Sequence, residues 1–95
     1  MPKAIWNGHV LAEAERFEEV GGNVYFPPGA LESAFVRPSA HTTVCGWKGT
    51  ASYLDLVDGD QVAPNAVWTY RDPKPAAAAI KDHVAFYCPP VRIEG

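Results

Sequence analysis

The sequence lacks acidic residues over one continuous stretch, because no aspartate or glutamate lies between Glu32 and Asp55. Arg37, His41 and Lys48 all fall inside that stretch. A locally positive surface of this kind attracts small anions. The chain as a whole has a formal net charge of −3, which gives no reason to expect a nucleic acid as a partner.

Long apolar runs are also missing. No stretch approaches the ~20 apolar residues of a membrane span, and the N-terminus has no signal-peptide core. We therefore expect no membrane partner and a cytoplasmic location. Cysteine is scarce, since Cys45 and Cys88 are the only two. A reducing compartment keeps such cysteines as free thiols rather than as a disulfide.

The usual zinc-binding spacings are absent. Structural zinc sites built from local pairs use C-x2-C or H-x3-5-H, whereas this chain offers His41 with Cys45 and His83 with Cys88 at H-x3-C and H-x4-C spacings. The phosphate-loop pattern is incomplete as well, because Lys48 is followed by glycine and no upstream glycine frame precedes it. The sequence therefore predicts no metal and no cofactor.

The residues that are present indicate a small, mainly β fold. Nine prolines and eight glycines punctuate short apolar runs, which favours short strands over long helices. We predict one domain over residues 1–95, with about seven or eight short strands and two short helices. Asn7-Gly8 and Asp58-Gly59 are dipeptides typical of β-hairpin turns. Between Ala66 and Arg71, Trp68 and Tyr70 are expected on one face and Val67 and Thr69 on the other.

Prolines predict where the remaining helices, loops and turns begin or end. Pro28 is suited to the first position of a short helix through Leu31 to Phe35. Because the residue before a proline leaves the helical region, Pro38 should end that helix, and residues 39–41 should form a loop. Pro64-Asn65 predicts a further turn. Asp72-Pro73 predicts the start of a second helix through the alanines at 76–79.

The stretch His41 to Tyr53, HTTVCGWKGTASY, concentrates the side chains that can carry chemistry. A cation next to a cysteine favours the thiolate, so Cys45 is a candidate nucleophile with Lys48, or a protonated His41, as its activating group. Lys48 can also hold a phosphate or carboxylate as a point charge. The ordinary alternatives are that Cys45 is a small buried residue and that Lys48 is solvated.

Two further hypotheses stay open at this point. The first is a small-molecule pocket in which Lys48 binds an anionic group and either Trp47 or Trp68 supplies an apolar wall. The other pocket residues are Cys45 and three residues whose hydroxyls orient the ligand, Thr43, Tyr53 and Tyr70. The second is a self-association module without a pocket, which would form a homodimer through exposed strand edges or surface aromatics. Light scattering distinguishes the second hypothesis from the first.

The same stretch resembles a family whose function is undefined, the domain of unknown function 427, which is sometimes labelled nucleotidyltransferase-like. The resemblance extends over nearly the whole chain. It rests on Trp6-Asn7-Gly8, Tyr25-Phe26-Pro27, His41-Thr42-Thr43, Cys45, Trp47-Lys48-Gly49, Tyr53, Trp68, Tyr70, Pro73, Ile80 and Val84-Ala85-Phe86. Where the family usually has proline after the cysteine, this chain has Gly46.

The resemblance implies a compact β fold related to the β-tent folds, which often hold zinc between two C-x2-C knuckles. Here Lys48 stands where the second cysteine of a knuckle would be, and this implies a metal-free version. The family label implies nucleotidyltransferase-like activity. Such enzymes position a triphosphate and divalent ions with closely placed carboxylates, and the stretch around Cys45 contains none.

Overall fold

The computed structural model describes residues 1–95 and contains nine strands and two short 3-10 helices. The strands are β1 (Lys3–Trp6), β2 (His9–Glu13), β3 (Glu18–Val20), β4 (Asn23–Tyr25), β5 (Val36–Cys45), β6 (Gly49–Asp58), β7 (Gln61–Thr69), β8 (Val84–Phe86) and β9 (Arg92–Glu94). The helices span Ser33–Phe35 and Pro75–Ile80. The predicted mainly β class with two short helices is confirmed, and the strand count is slightly higher than expected. Neither helix has the length and apolar character that a membrane crossing requires.

The strands form three antiparallel sheets. Four strands pair in the order β5-β6-β7-β8, three pair in the order β2-β1-β9, and β3 pairs with β4. The turn between β1 and β2 is Asn7-Gly8, as the sequence predicted. Both residues have positive φ, 53° and 79°, which the tight type I′ hairpin turn requires.

Strands β6, β7 and β8 carry buried residues on both faces of the four-stranded sheet, whereas β5 at its edge is largely exposed. One face packs against the β2-β1-β9 sheet around a core that includes Leu11, Leu56, Val67 and Phe86. Because side chains alternate along a strand, Trp68 and Tyr70 point to the opposite face. There they join a second cluster with Tyr25, Tyr53, Ala77 and Ile80. The predicted division of β7 between two faces is confirmed.

Two predicted breaks are instead β-bulges inside long strands. Strand β5 continues through Pro38 and the expected loop at residues 39–41, and β7 continues through Pro64-Asn65. Pro38 and Thr42 are four positions apart in β5, whereas their partners in β6, Leu54 and Ser52, are only two positions apart. Strand β5 therefore carries two extra residues there. In β7, Ala63 and Val67 are likewise four positions apart, whereas their partners in β6, Leu56 and Leu54, are two positions apart. Proline is tolerated at an edge strand or at a bulge, and β5 is the sheet's edge.

The helices are shorter than predicted. The first is a single 3-10 turn at Ser33–Phe35, because Leu31 pairs with Ala12 in an isolated bridge and is therefore not available for a helix. The second begins at Pro75 rather than at Pro73. Strand β9, which the sequence did not predict, pairs with β1 and forms one edge of the three-stranded sheet.

Candidate functional site

The turn between β5 and β6 brings Cys45 and Lys48 to one end of the four-stranded sheet. Cys45 pairs with Gly49 in the last rung of the β5–β6 ladder. Gly49 has a φ of +113°, and a Cβ atom there would lie 3.4 Å from the backbone nitrogen of Lys74. Glycine is therefore favoured at this position by its backbone conformation, whereas an added Cβ atom would make only ordinary van der Waals contact with the Lys74 backbone.

Lys74 fixes this turn from outside the stretch that the sequence singled out. Its backbone N–H donates to the carbonyl of Lys48 at 2.9 Å, and its Nζ donates to the carbonyl of Gly46 at 2.7 Å. Lys74 therefore holds both sides of the turn and places a second ammonium group beside Cys45. We define residues 45–48 together with Lys74 as the cationic turn.

Aromatic side chains surround the Lys48 ammonium. Its Nζ lies 3.4 Å from the Tyr25 hydroxyl, and 5.4, 5.6 and 6.0 Å from the ring centroids of Tyr70, Trp47 and Tyr25. These distances allow cation–π attraction. Burial opposes the charge, but Tyr25, Tyr70 and Cys45 outweigh that effect and raise the pKa of Lys48. Lys48 is therefore charged at neutral pH.

Neither lysine of the cationic turn forms an ion pair with a carboxylate. The four ion pairs of the protein are Lys3–Glu13, His9–Asp58, Arg37–Asp55 and Arg92–Glu94. A charge that is partly removed from water is normally paired. The cationic turn therefore has an excess of positive charge that no carboxylate of the protein neutralises.

The two cysteines have opposite electrostatic environments. The backbone N–H groups of Lys48 and Trp47 lower the pKa of Cys45 against the effect of burial, and the charges of Lys48 and Lys74 lower it further. Burial raises the pKa of Cys88, whose Sγ donates to the carbonyl of Phe86 at 3.7 Å. Both are free thiols, and Cys45 is the one whose thiolate is stabilised.

The other predicted ligand-binding residues lie mainly beneath the surface. Tyr53, Trp68 and Tyr70 are buried, and burial raises the pKa of Tyr70. Trp68 Nε1 donates to the Tyr25 hydroxyl at 3.1 Å. The Tyr53 hydroxyl is 2.9 Å from the exposed hydroxyl of Thr43. Tyr25, which the sequence reasoning missed as a site residue, thus connects Trp68 to Lys48.

The predicted single pocket is divided in the structure. No cavity of the protein is lined by Cys45 or Lys48. Tyr53 lines a cleft of about 470 Å³ together with His41 and Tyr87, and Trp68 lines another of about 560 Å³ with Tyr87 and Cys88. Cys45 and Lys48 therefore belong to the cationic turn, with the Tyr70 ring next to Lys48, whereas Tyr53 faces a separate cleft.

No three histidine, cysteine, aspartate or glutamate side chains come together in a way that could hold a metal ion. The fold and the site define a small, mainly β protein with a lysine-flanked cysteine at the end of its largest sheet. The family model described as a domain of unknown function (DUF427) matches residues 3–94. The chain belongs to this family, as the resemblance predicted. No curated protein matches the chain.

Proposed function

We propose that the protein binds a small anionic ligand at the cationic turn. The observation that supports this most directly is that Lys48 and Lys74 both belong to the cationic turn and that neither ammonium group has a carboxylate partner. Each ammonium group can donate a charge-assisted hydrogen bond to an anion bound at the turn. Carboxylate, sulfate and phosphate groups all have the oxygen acceptors that this arrangement accommodates.

The predicted site residues have different roles in this proposal. Lys48 binds the anion directly, and Thr43 offers an exposed hydroxyl on the same face of β5 as Cys45. Tyr53 positions Thr43 through the 2.9 Å contact between their hydroxyls. Tyr70 and Trp68 support Lys48 from the buried side of the turn. The Tyr70 ring lies next to the Lys48 ammonium, and Trp68 donates a hydrogen bond to the Tyr25 hydroxyl.

A titration with sulfate tests the proposal, because the charge of sulfate is constant over the useful pH range. At constant ionic strength, we expect the amide resonances of Gly46, Trp47 and Lys48 to shift with a saturable dependence on sulfate. Lys48→Met should weaken binding about tenfold, since a hydrogen bond to a charged group contributes roughly 1.5–3 kcal/mol. Lys81→Met is the matched control, because Lys81 is exposed and lies outside the turn, and it should leave the affinity unchanged.

Two outcomes would contradict anion binding here. The first is a sulfate response at the turn that is no larger than the response across the rest of the surface. The second is an unchanged affinity in Lys48→Met when its spectrum remains that of a folded protein. Repeating the titration with acetate and with inorganic phosphate then defines which anion class is preferred.

A nucleophilic role for Cys45 is a second candidate, and the lowered pKa of this thiol favours it. Alkylation by iodoacetamide measures the thiolate, whose sulfur displaces iodide to form a carbon–sulfur bond. We expect the rate at Cys45 to reach half its maximum below pH ~8.5, the value typical of a free cysteine. Cys88 should require a higher pH because burial raises its pKa, and it serves as the internal comparison.

Lys48→Met should affect both candidate functions, whereas Cys45→Ser separates them. Removal of the ammonium should move the alkylation profile of Cys45 to higher pH, because one of the charges that stabilise the thiolate is gone. Cys45→Ser should abolish that reaction and still bind sulfate. If Cys45 and Cys88 are alkylated with the same pH profile, the nucleophile hypothesis is wrong and the anion site is unaffected by that result.

A further inference from the structure

A cleft lies where the two β-bulges of the four-stranded sheet meet, away from the cationic turn. It has a volume of about 470 Å³, which is within the range of small-molecule sites. Its main lining residues are His41, Tyr53, Pro64, Asn65, Tyr87 and Pro90. The bulge of β5 supplies His41, and the bulge of β7 supplies Pro64 and Asn65. Bulges often redirect side chains next to functional sites.

A polar network holds the two bulges in place. Ser39 Oγ donates to Asn65 Oδ1 at 2.5 Å, and the backbone N–H of His41 donates back to Ser39 Oγ at 3.1 Å. Asp55 joins both bulged strands, because Oδ1 accepts from the Asn65 N–H at 2.8 Å and Oδ2 accepts from Arg37 Nε at 3.2 Å. The Asn65 N–H, and then Arg37, lower the pKa of Asp55. The cleft is therefore formed before any ligand binds, which reduces the entropy cost of binding.

Aromatic rings dominate one wall of the cleft. The His41 ring lies 4.7 Å from the Tyr53 ring, and Tyr87 is nearly parallel to Tyr53 at an angle of 14° and a centroid distance of 6.5 Å. Tyr87 also packs against Trp68 at 4.7 Å. Tyr87 is 47% exposed, so its ring is accessible to a ligand. Tyr53 raises the pKa of Tyr87, so that its hydroxyl is neutral at neutral pH.

The lining excludes a charged ligand as the preferred occupant. None of the residues around the cleft is lysine, arginine, aspartate or glutamate, so an ion would lose its hydration without gaining a counter-ion. Aromatic walls favour a flat ring that stacks on them. Asn65 Oδ1 accepts a hydrogen bond from Ser39 Oγ, whereas the Asn65 NH₂ group has no partner in the protein, and this donor suits a ligand with a hydrogen-bond acceptor.

We propose that this cleft binds an uncharged, planar aromatic small molecule that carries a hydrogen-bond acceptor. This goes beyond the anion site, since neither Cys45 nor Lys48 lines the cleft. His41 and Tyr87 contact the faces or edges of the ring. Asn65 sets its orientation, and the network around Asp55 keeps the two bulges together.

A titration followed by amide resonances tests the proposal, with benzimidazole, benzoate and cyclohexanol as probes. At a pH where benzimidazole is neutral, we expect it to shift the resonances of His41, Asn65, Ala66 and Tyr87 in a saturable way. Benzoate carries a charge and cyclohexanol is not planar, so both should bind at least fivefold more weakly. A response to cyclohexanol equal to that of benzimidazole would overturn the proposed selectivity for a flat ring.

Substitutions of the residues that line the cleft test whether the ligand binds there. Tyr87→Ala and His41→Ala should each weaken benzimidazole binding at least fivefold, and having two variants guards against a local packing defect caused by one of them. Val44→Ala is the control, because Val44 is an exposed apolar residue outside the cleft. Lys48→Met should leave benzimidazole binding intact. Shifts that persist unchanged in both cleft variants would overturn the proposal without affecting the anion site.

Discussion

The hydroxyl of Tyr25 determines where the Lys48 ammonium lies. It is fully buried and meets two donors, Trp68 Nε1 at 3.1 Å and Lys48 Nζ at 3.4 Å. The Tyr25 ring also packs edge-on against Trp68, with 6.3 Å between the ring centroids and an angle of 85°. One oxygen atom therefore satisfies a buried indole N–H and also positions the charge of the cationic turn.

Tyr25→Phe should test this role directly. The substitution keeps the ring but leaves the buried Trp68 N–H without an acceptor, and an unsatisfied buried donor costs about 1–3 kcal/mol. We expect the free energy of unfolding, measured by urea denaturation, to fall by that amount. Sulfate affinity should fall too, because the Lys48 ammonium loses its contact.

Tyr87→Phe is the matched control for this measurement. It removes the same hydroxyl from a half-exposed tyrosine, where water replaces lost hydrogen bonds and the change in stability should stay within about 0.5 kcal/mol. Equal losses in the two variants would mean that Tyr25 contributes no more than an ordinary surface hydroxyl.

Features of the fold that depend on neighbouring residues could be predicted from the sequence. The Asn7-Gly8 turn follows from the preference of these two residues for positive φ. The alternation of Val67, Trp68, Thr69 and Tyr70 follows from the geometry of a strand. The proximity of Cys45 to Lys48 is of the same kind, since a tight turn brings residues three positions apart close to each other.

The bulges could not be predicted, because the interactions that hold them are distant in sequence. Pro38 and Pro64 locally favour a loop and a turn, and the sequence therefore predicts a break at each. Asn65 has a φ of 55° inside a strand, and it is held there by Ser39, which is 26 positions away. Asp55 adds the bond to the Asn65 N–H. These tertiary contacts outweigh the local preference for a break.

Which residues form the site could be predicted only in part, because here too the contacts are distant in sequence. Lys74 and Tyr25 reach the cationic turn from other segments, 26 and 23 positions from Lys48, and no spacing in the sequence links them to it. Tyr53 was expected next to Lys48, but it bonds to Thr43 and faces the bulge cleft. The sequence predicts a loop at His41, whereas the bulge of β5 places this residue in that cleft.

The two ends of the described chain meet in one sheet, and this contact contributes to the core of the whole molecule. Strand β1 lies between β2 and β9, with Ala4 opposite Ile93. Val91 immediately precedes β9, and its backbone N–H donates to the carbonyl of Tyr87 at 3.0 Å. Its side chain joins the larger of the two cores. The last strand therefore anchors β1 to the four-stranded sheet.

Val91→Ala should measurably weaken the anchoring of β1 and β9 to the four-stranded sheet. Val91 is 2% exposed, and removal of two buried methyl groups costs about 0.8 kcal/mol each plus a term for the cavity left behind. We expect the free energy of unfolding to fall by about 2 kcal/mol. Val62→Ala makes the same chemical change at a position that is 43% exposed and should cost less than half as much. If the two variants lose equal stability in urea denaturation, the final strand does not contribute to the common core, and its pairing with β1 is a peripheral contact.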